Sequence, residues 1–217
     1  MLNLLPVTEK HIEWLRTQRN RPELYKYFRQ DKPITEIEQK RWWRNTPKNR
    51  MALFLVLDDK SEKVGYVGFN PLSRYARMAE FGTFILPEHQ SKGYGRQAME
   101  LLLAKGFKEY NLATIYSDVL DYPGENRFAF YEGLGFVKHA VQDKGYVKQG
   151  VRVPSIKFYM TREMYEKRKP REGDNAKASN VKLEPGGQAS ATEQPAKRKR
   201  GRPRLHPSSG NVQKTSR

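Results

Sequence analysis

The sequence contains no cysteine. Disulfides, thiolate zinc sites and a cysteine nucleophile are excluded together, and a reducing compartment is compatible. Long apolar runs are missing as well: none approaches the roughly 20 residues needed to cross a bilayer. The N-terminus, Met1 to Pro6, has no basic segment followed by an apolar core, so no signal peptide is expected. A soluble, cytoplasmic protein with no membrane partner is predicted. The histidines His11, His89 and His139 are scattered rather than paired at ligand spacing, and no metal site is expected.

Aromatic residues are absent from 167–217, where Pro, Gly, Ser, Gln, Lys and Arg dominate. Such a stretch cannot bury enough apolar surface to offset its ordering entropy, and a disordered tail is predicted after a domain over 1–166. Of the net charge of +17, the tail holds +10 over 51 residues, from 14 Lys/Arg against 4 Asp/Glu, leaving +7 on the domain. A basic tail on a mildly basic domain points to a polyanionic partner, nucleic acid first. The alternative is a solvated tail that only aids solubility.

Within 1–166, hydrophobic patterning predicts an α/β domain. Leu2 to Pro6 reads as a first strand, and Thr8 as the cap of a helix carrying Ile12, Trp14 and Leu15, limited by Pro22. Thr35-Glu36-Ile37-Glu38 has capping-box spacing and opens a second helix reaching Trp42 and Trp43. Those tryptophans are expected to pack in that helix, or one of them to line an acceptor pocket. Phe54–Leu57 and Val64–Phe69 read as a hairpin about a turn at Asp58 to Ser61. Glu80–Leu86 is a strand with Phe81, Thr83 and Ile85 on one face. A glycine-bearing loop follows, then a helix beginning near Arg96 with Ala98, Met99, Leu101, Leu102 and Phe107 on its apolar face. Ile115–Leu120 completes a strand–loop–helix–strand unit, the pattern of a parallel crossover. A short helix at Phe128–Leu134, strands at Phe136–Ala140 and Ile156–Met160, and a helical end near Tyr165 complete a mixed sheet.

The loop Gln90-Ser91-Lys92-Gly93-Tyr94-Gly95 carries the chemistry. Gly93 and Gly95 permit backbone approaches that a Cβ would block. Loop amides, joined to unpaired donors at the helix start, make an anion site beside Lys92 and Arg96. It is neither a Rossmann fingerprint nor a P-loop, lacking the third glycine of one and the Gly-Lys-Ser/Thr of the other.

The run Glu80-Phe81-Gly82-Thr83-Phe84-Ile85-Leu86 followed by Gln90-x-x-Gly93-Tyr94-Gly95 resembles the central motif of the GNAT superfamily of N-acetyltransferases. The block Asn126-Arg127-Phe128-Ala129-Phe130-Tyr131-Glu132-Gly133-Leu134-Gly135-Phe136 is similar to that family's Asn…Tyr-x-x-Leu-Gly-Phe. Arg19-Asn20-Arg21-Pro22 and Pro33-Ile34-Thr35 resemble the branch holding ribosomal-protein and nucleotide-sugar acetyltransferases. The resemblance covers about 1–165. It implies a mixed, mostly antiparallel sheet with a splayed parallel pair flanked by helices, and acetyl-CoA as cofactor.

By that resemblance, Phe84, Ile85 and Leu86 offer backbone groups to the pantetheine arm. Gln90, Ser91, Lys92, Gly93, Tyr94, Gly95 and Arg96 take the pyrophosphate, and Asn126 touches the cofactor. The segment Asp121 to Glu125 before that asparagine is longer than the family pattern. Tyr131 matches the tyrosine that protonates the departing thiolate; its other reading is a core aromatic. Glu80 is the candidate general base, since an amine near neutral pH is mostly ammonium. Its other reading is a strand-end carboxylate paired with Arg77 or Arg74.

In the tail, Lys197-Arg198-Lys199-Arg200-Gly201-Arg202-Pro203-Arg204 resembles the AT-hook. A narrow A·T minor groove attracts inserted arginine, and the flanking cations neutralise phosphates. RNA binding and a targeting signal are the other readings of a basic run. Residues 169–194 would tether the domain near A·T-rich DNA, in the nucleoid or, in a eukaryote, the nucleus. The expected activity is acetyl transfer from acetyl-CoA to an amine by direct attack, the acceptor being a protein lysine or N-terminal amine. The alternatives are an amino group on a modified DNA base, a small amine or amino sugar, or an inactive fold that only binds DNA.

Overall fold

The computed structural model describes residues 1–168 apart from Pro123, Gly124, Asn126 and the side chain of Lys144. The expectations placed on Asn126 and on the tail from residue 169 onward, with its basic segment from Lys197 to Arg204, lie outside the described residues, while Lys167 ends α6. The elements are β1 (Asn3–Pro6), α1 (Ile12–Arg19), α2 (Pro22–Tyr25), α3 (Glu36–Asn45), β2 (Ala52–Leu57), β3 (Lys63–Ser73), β4 (Met78–Ile85), α4 (Tyr94–Ala104), β5 (Thr114–Leu120), α5 (Phe128–Gly133), β6 (Val137–Lys148), β7 (Val151–Thr161) and α6 (Arg162–Lys167). The strands form one seven-stranded sheet in the order β1-β2-β3-β4-β5-β7-β6. Every pairing is antiparallel except β4 with β5. This is the mixed, mostly antiparallel architecture expected.

Alternation along β4 sorts its side chains to two cores, because successive strand residues point to opposite faces. Phe81 and Ile85 join the main core with Phe69, Met99, Leu102, Leu103 and Phe107, so α4 covers that face. Phe84 points the other way, into a second cluster with Leu15, Leu24, Leu55 and Leu86 under α1 and α2. Local chemistry sets the helix starts. At α3, the Thr35 side chain accepts from the Glu38 N–H while the Glu38 carboxylate accepts from the Thr35 N–H, the reciprocal cap read from the sequence. Pro22 begins α2 as its first residue, where its missing N–H costs no bond.

Several element boundaries differ from expectation. Helix α4 begins at Tyr94 rather than near Arg96, because Gly93 adopts a left-handed backbone (φ +76°) and caps it. Strands β6 and β7 run 12 and 11 residues, well beyond the short segments expected. Their turn is Gln149-Gly150, with φ of +51° and +79°, a primed hairpin turn that matches strand twist. Exposed polar positions such as Lys138 and Gln142 hide the alternation that would have revealed this length.

Helix α4 crosses from the end of β4 to the start of β5, and the two parallel strands pair only at Met78/Thr114, Ala79/Ile115 and Glu80/Tyr116. Beyond Glu80 they part. Their separation opens the middle of the sheet, and among the described strands β4 pairs there with β3.

Gly65 on β3 faces this stretch. A Cβ there would run into the Phe84 carbonyl oxygen and lie 3.1 Å from the Ile85 Cα, both main-chain atoms that cannot swing aside. Gly65→Ala should therefore destabilise the fold by about 1–3 kcal/mol, the range typical of overpacking. Urea denaturation of the two proteins measures it; equal midpoints would refute the tight packing.

Candidate active site

The separation of β4 from β5 leaves main-chain groups without strand partners. The Leu86 N–H donates to the Val64 carbonyl at 2.9 Å. Since alternate residues bond across an antiparallel pair, Gly82 and Phe84 also turn their amides toward β3. Phe81, Thr83 and Ile85 turn theirs toward the gap. Two side chains fill part of that demand: Ser117 Oγ donates to the Phe81 carbonyl at 3.1 Å and Gln90 Nε2 to the Ile85 carbonyl at 2.9 Å. Thr83, between them, faces a cavity of about 680 Å³. Of the three residues expected to offer main chain, Ile85 faces the gap, while Phe84 and Leu86 bond to β3. Phe84 contributes its side chain to the cavity wall instead.

At its far end, this cavity is lined by Gln90, Ser91, Gly93, Gly95 and Arg96. The left-handed turn at Gly93 aims the first amides of α4 there, where no intrahelical acceptor exists for them. A Cβ on Gly95 would meet only the Phe130 ring at 3.6 Å and Ile85 Cγ1 at 3.8 Å, ordinary contacts. What the glycine preserves is cavity space. Lys92 turns back to the Glu88 carbonyl at 3.0 Å, and Tyr94 stacks on His89, so neither lines the cavity. Arg96 lines it and donates to the Gly133 carbonyl at 3.1 Å, joining α4 to α5.

Glu80 stands where the strands part, 9% exposed. Neither expected partner reaches it: Arg77 donates to the Asn111 carbonyl at 2.7 Å and Arg74 lies over the Tyr110 ring. Its partner is Arg29, from the segment between α2 and α3. Arg29 also donates to the Tyr146 hydroxyl at 3.3 Å, and that hydroxyl donates to Asp118 Oδ2 at 2.9 Å. Burial pushes the Glu80 carboxyl above its ordinary range, and the Arg29 guanidinium opposes that rise without cancelling it. The Arg29 segment is itself pinned. Lys148 Nζ donates to the carbonyls of Tyr25 at 3.4 Å, Phe28 at 3.0 Å and also Gln30. Asn20 clamps both main-chain groups of Ile34, at 2.8 and 2.9 Å, fixing the approach to α3.

Tyr131 on α5 lines the first cavity and packs against Phe81 and Phe158. Burial raises the pKa of its hydroxyl. The core reading of this residue holds, since its ring is buried among aromatic neighbours, and the same residue lines the cavity. A second cavity, of about 530 Å³, lies on the other side of Glu80. Trp42 lines it, and it shares Phe28, Arg29 and the run from Glu80 to Phe84 with the first. Arg29, Asp118, Tyr146 and Lys148 were missed by sequence reasoning; no local motif marks them, since their partners are distant in the chain.

The family model described as "Acetyltransferase (GNAT) domain" matches residues 1–121. Spermidine N(1)-acetyltransferase of Escherichia coli is 35% identical over 81 residues, 37% of this chain and 43% of that protein. The Vibrio cholerae enzyme of the same name is 35% identical over 99 residues, 44% of this chain and 56% of that protein. The matched part thus spans about half the length of these curated relatives. A crystal structure of the Vibrio cholerae spermidine N-acetyltransferase with CoA and spermine has a TM-score of 0.68 at 24% identity, covering 76% of this chain and 98% of that one. It shares the fold.

Because the Arg29 charge holds the Glu80 pKa down against burial, Arg29→Met should move that pKa further up. Carboxyl-carbon NMR titration of Glu80 reads it directly. An unchanged or lower value would separate the two groups.

Proposed function

We propose that this chain, which belongs to the GNAT acetyltransferase family, transfers an acetyl group from acetyl-CoA to the primary amine of a small molecule. The observation that carries this reading is that two cavities meet at one buried carboxylate, Glu80. The residues lining the first cavity fit coenzyme A. The main-chain groups of Thr83 and Ile85 suit an amide-bearing arm, and the first amides of α4 with Arg96 suit a pyrophosphate. Gly93 and Gly95 keep that end open. Bound there, acetyl-CoA supplies the activated acyl group.

The chain's own residues then manage protons. An amine arrives mostly as ammonium, and Glu80 accepts its proton, with burial bringing the carboxyl closer to the working pH. Tyr131, its pKa raised by burial, remains protonated at neutral pH and is assigned as proton donor to the leaving thiolate. The second cavity, near 530 Å³, is of small-molecule size. This favours a small amine over a protein lysine or N-terminal amine. The curated relatives are named for acetylating spermidine, which supports an amine acceptor in this family.

A second element of the proposal concerns the tail. The Arg200-Gly201-Arg202-Pro203 core with flanking Lys197, Arg198, Lys199 and Arg204 supports A·T-rich DNA as a partner, separable from the acetyl transfer. Arg200→Ala with Arg202→Ala should abolish any preference for A·T-rich over G·C-rich duplex in gel-shift assays while leaving transferase turnover intact. An unaltered preference would remove this segment from DNA recognition.

For the chemistry, Glu80→Gln should lower kcat by roughly 10²–10⁴-fold with little change in acetyl-CoA affinity. Glu80 works ionised and its pKa is raised. Activity in the unaltered protein should therefore fall as pH drops through a value above the ordinary carboxylate range, and the variant should lose that acid limb. Retention of the limb would place the base elsewhere.

A further inference from the structure

The second cavity is rich in donors that nothing accepts from. Arg19, on α1, lies 4.8 Å above the Phe28 ring and donates to Gln30 Oε1 at 2.6 Å. Among the described residues no carboxylate pairs with it. Its Nε is buried without a partner, and so is Gln30 Nε2 beside it. Both residues line the second cavity. Buried donors left this way are costly, and an acceptor supplied by a ligand is one way such a site is satisfied.

The carboxylates on this wall are already engaged. Glu38 accepts from the Thr35 N–H at 2.8 Å and hydroxyl at 2.7 Å, and Glu80 is held by Arg29. The lining cations Arg19, Arg29 and Lys32 outnumber them. Tyr66, half-buried beside Arg19, has its pKa pushed up to about 12 by burial and adds a neutral group rather than a negative charge.

We propose that Arg19 and Gln30 form a binding site for an anionic group of the acceptor, a carboxylate or a phosphate, so that the substrate is an amine carrying its own negative charge. The ammonium end is taken at Glu80 and the anionic end at Arg19 Nε and Gln30 Nε2. A guanidinium presents a planar fork that suits either anion. The identity of the ligand as an acceptor rests on the acetyltransferase reading; the anion site itself rests only on the two orphaned donors.

The test titrates inorganic phosphate, acetate and, as a control, chloride into the full chain while the arginine side-chain proton–nitrogen spectrum is followed. We expect the Arg19 Nε signal to shift saturably with phosphate or acetate; whichever binds tighter identifies the anionic group. Gln30→Glu sets a carboxylate against Arg19 without removing the guanidinium, and should weaken the response roughly tenfold or more. In acetyl-CoA thiol-release assays, γ-aminobutyrate should exceed butylamine, or O-phosphoethanolamine exceed ethanolamine, by roughly tenfold or more in kcat/KM, and Gln30→Glu should erase that preference. An absent response, a response matched by chloride, or spermidine as the best acceptor would overturn the proposal. Calorimetry with acetyl-CoA keeps the two ideas apart: no cofactor binding alongside an intact anion response would sink the acetyltransferase reading and leave the site standing.

Discussion

Everything in this protein follows from two parallel strands that stop pairing after Glu80. Backbone amides and carbonyls in a sheet interior demand partners, and leaving them without any is costly. Here the demand is met unevenly. Ser117 and Gln90 each satisfy one carbonyl, and the groups around Thr83 open on a cavity. A sheet that closed fully would be more stable and would bind nothing. The gap needs β4 held from its other side, which explains the close approach of Gly65 to the main chain of Phe84 and Ile85. It also needs a crossover that returns the chain beyond the gap, which α4 supplies.

The same parting strands set the chemistry at Glu80. The last paired residue of β4 points its side chain to the face opposite Phe81, beneath α1 and α2, where water is scarce. A lone carboxylate there would be driven to its neutral form; Arg29 limits that drift. Arg29 belongs to no helix or strand, so its position depends on Lys148, whose ammonium gathers three carbonyls of the 25–30 segment. A long hairpin thus serves a residue it never touches in sequence. Burial lowers the Lys148 pKa, so this clamp is made at the expense of hydration.

What could be read in advance was local. The cap at Thr35 and Glu38 depends on residues three apart, and the glycine loop on six consecutive ones, so both were visible in the sequence. Helix α4 began early because a left-handed glycine can cap as well as loop. The partner of Glu80 was misassigned for a different reason. Arg74 and Arg77 are near in sequence, but the turn that leads into β4 directs them toward Tyr110 and Asn111. Arg29, 51 residues away, arrives only through tertiary packing. No periodicity encodes that meeting, nor the separation of 118 residues between Gln30 and Lys148.

The charges around the second cavity restrict which amines fit, more tightly than family membership does. A polycation would bring several positive charges to a wall already holding Arg19, Arg29 and Lys32, against two carboxylates, Glu38 bound in its helix cap and Glu80 shared with Arg29. An amine with an attached anion has little net charge and opposite ends. Its anionic end meets donors that lack acceptors, and its ammonium meets the acceptor that must take a proton. On the proposed reading Arg29 links the two ends: it limits the drift of Glu80 toward its neutral form, and an ammonium taken at Glu80 would share that carboxylate with it.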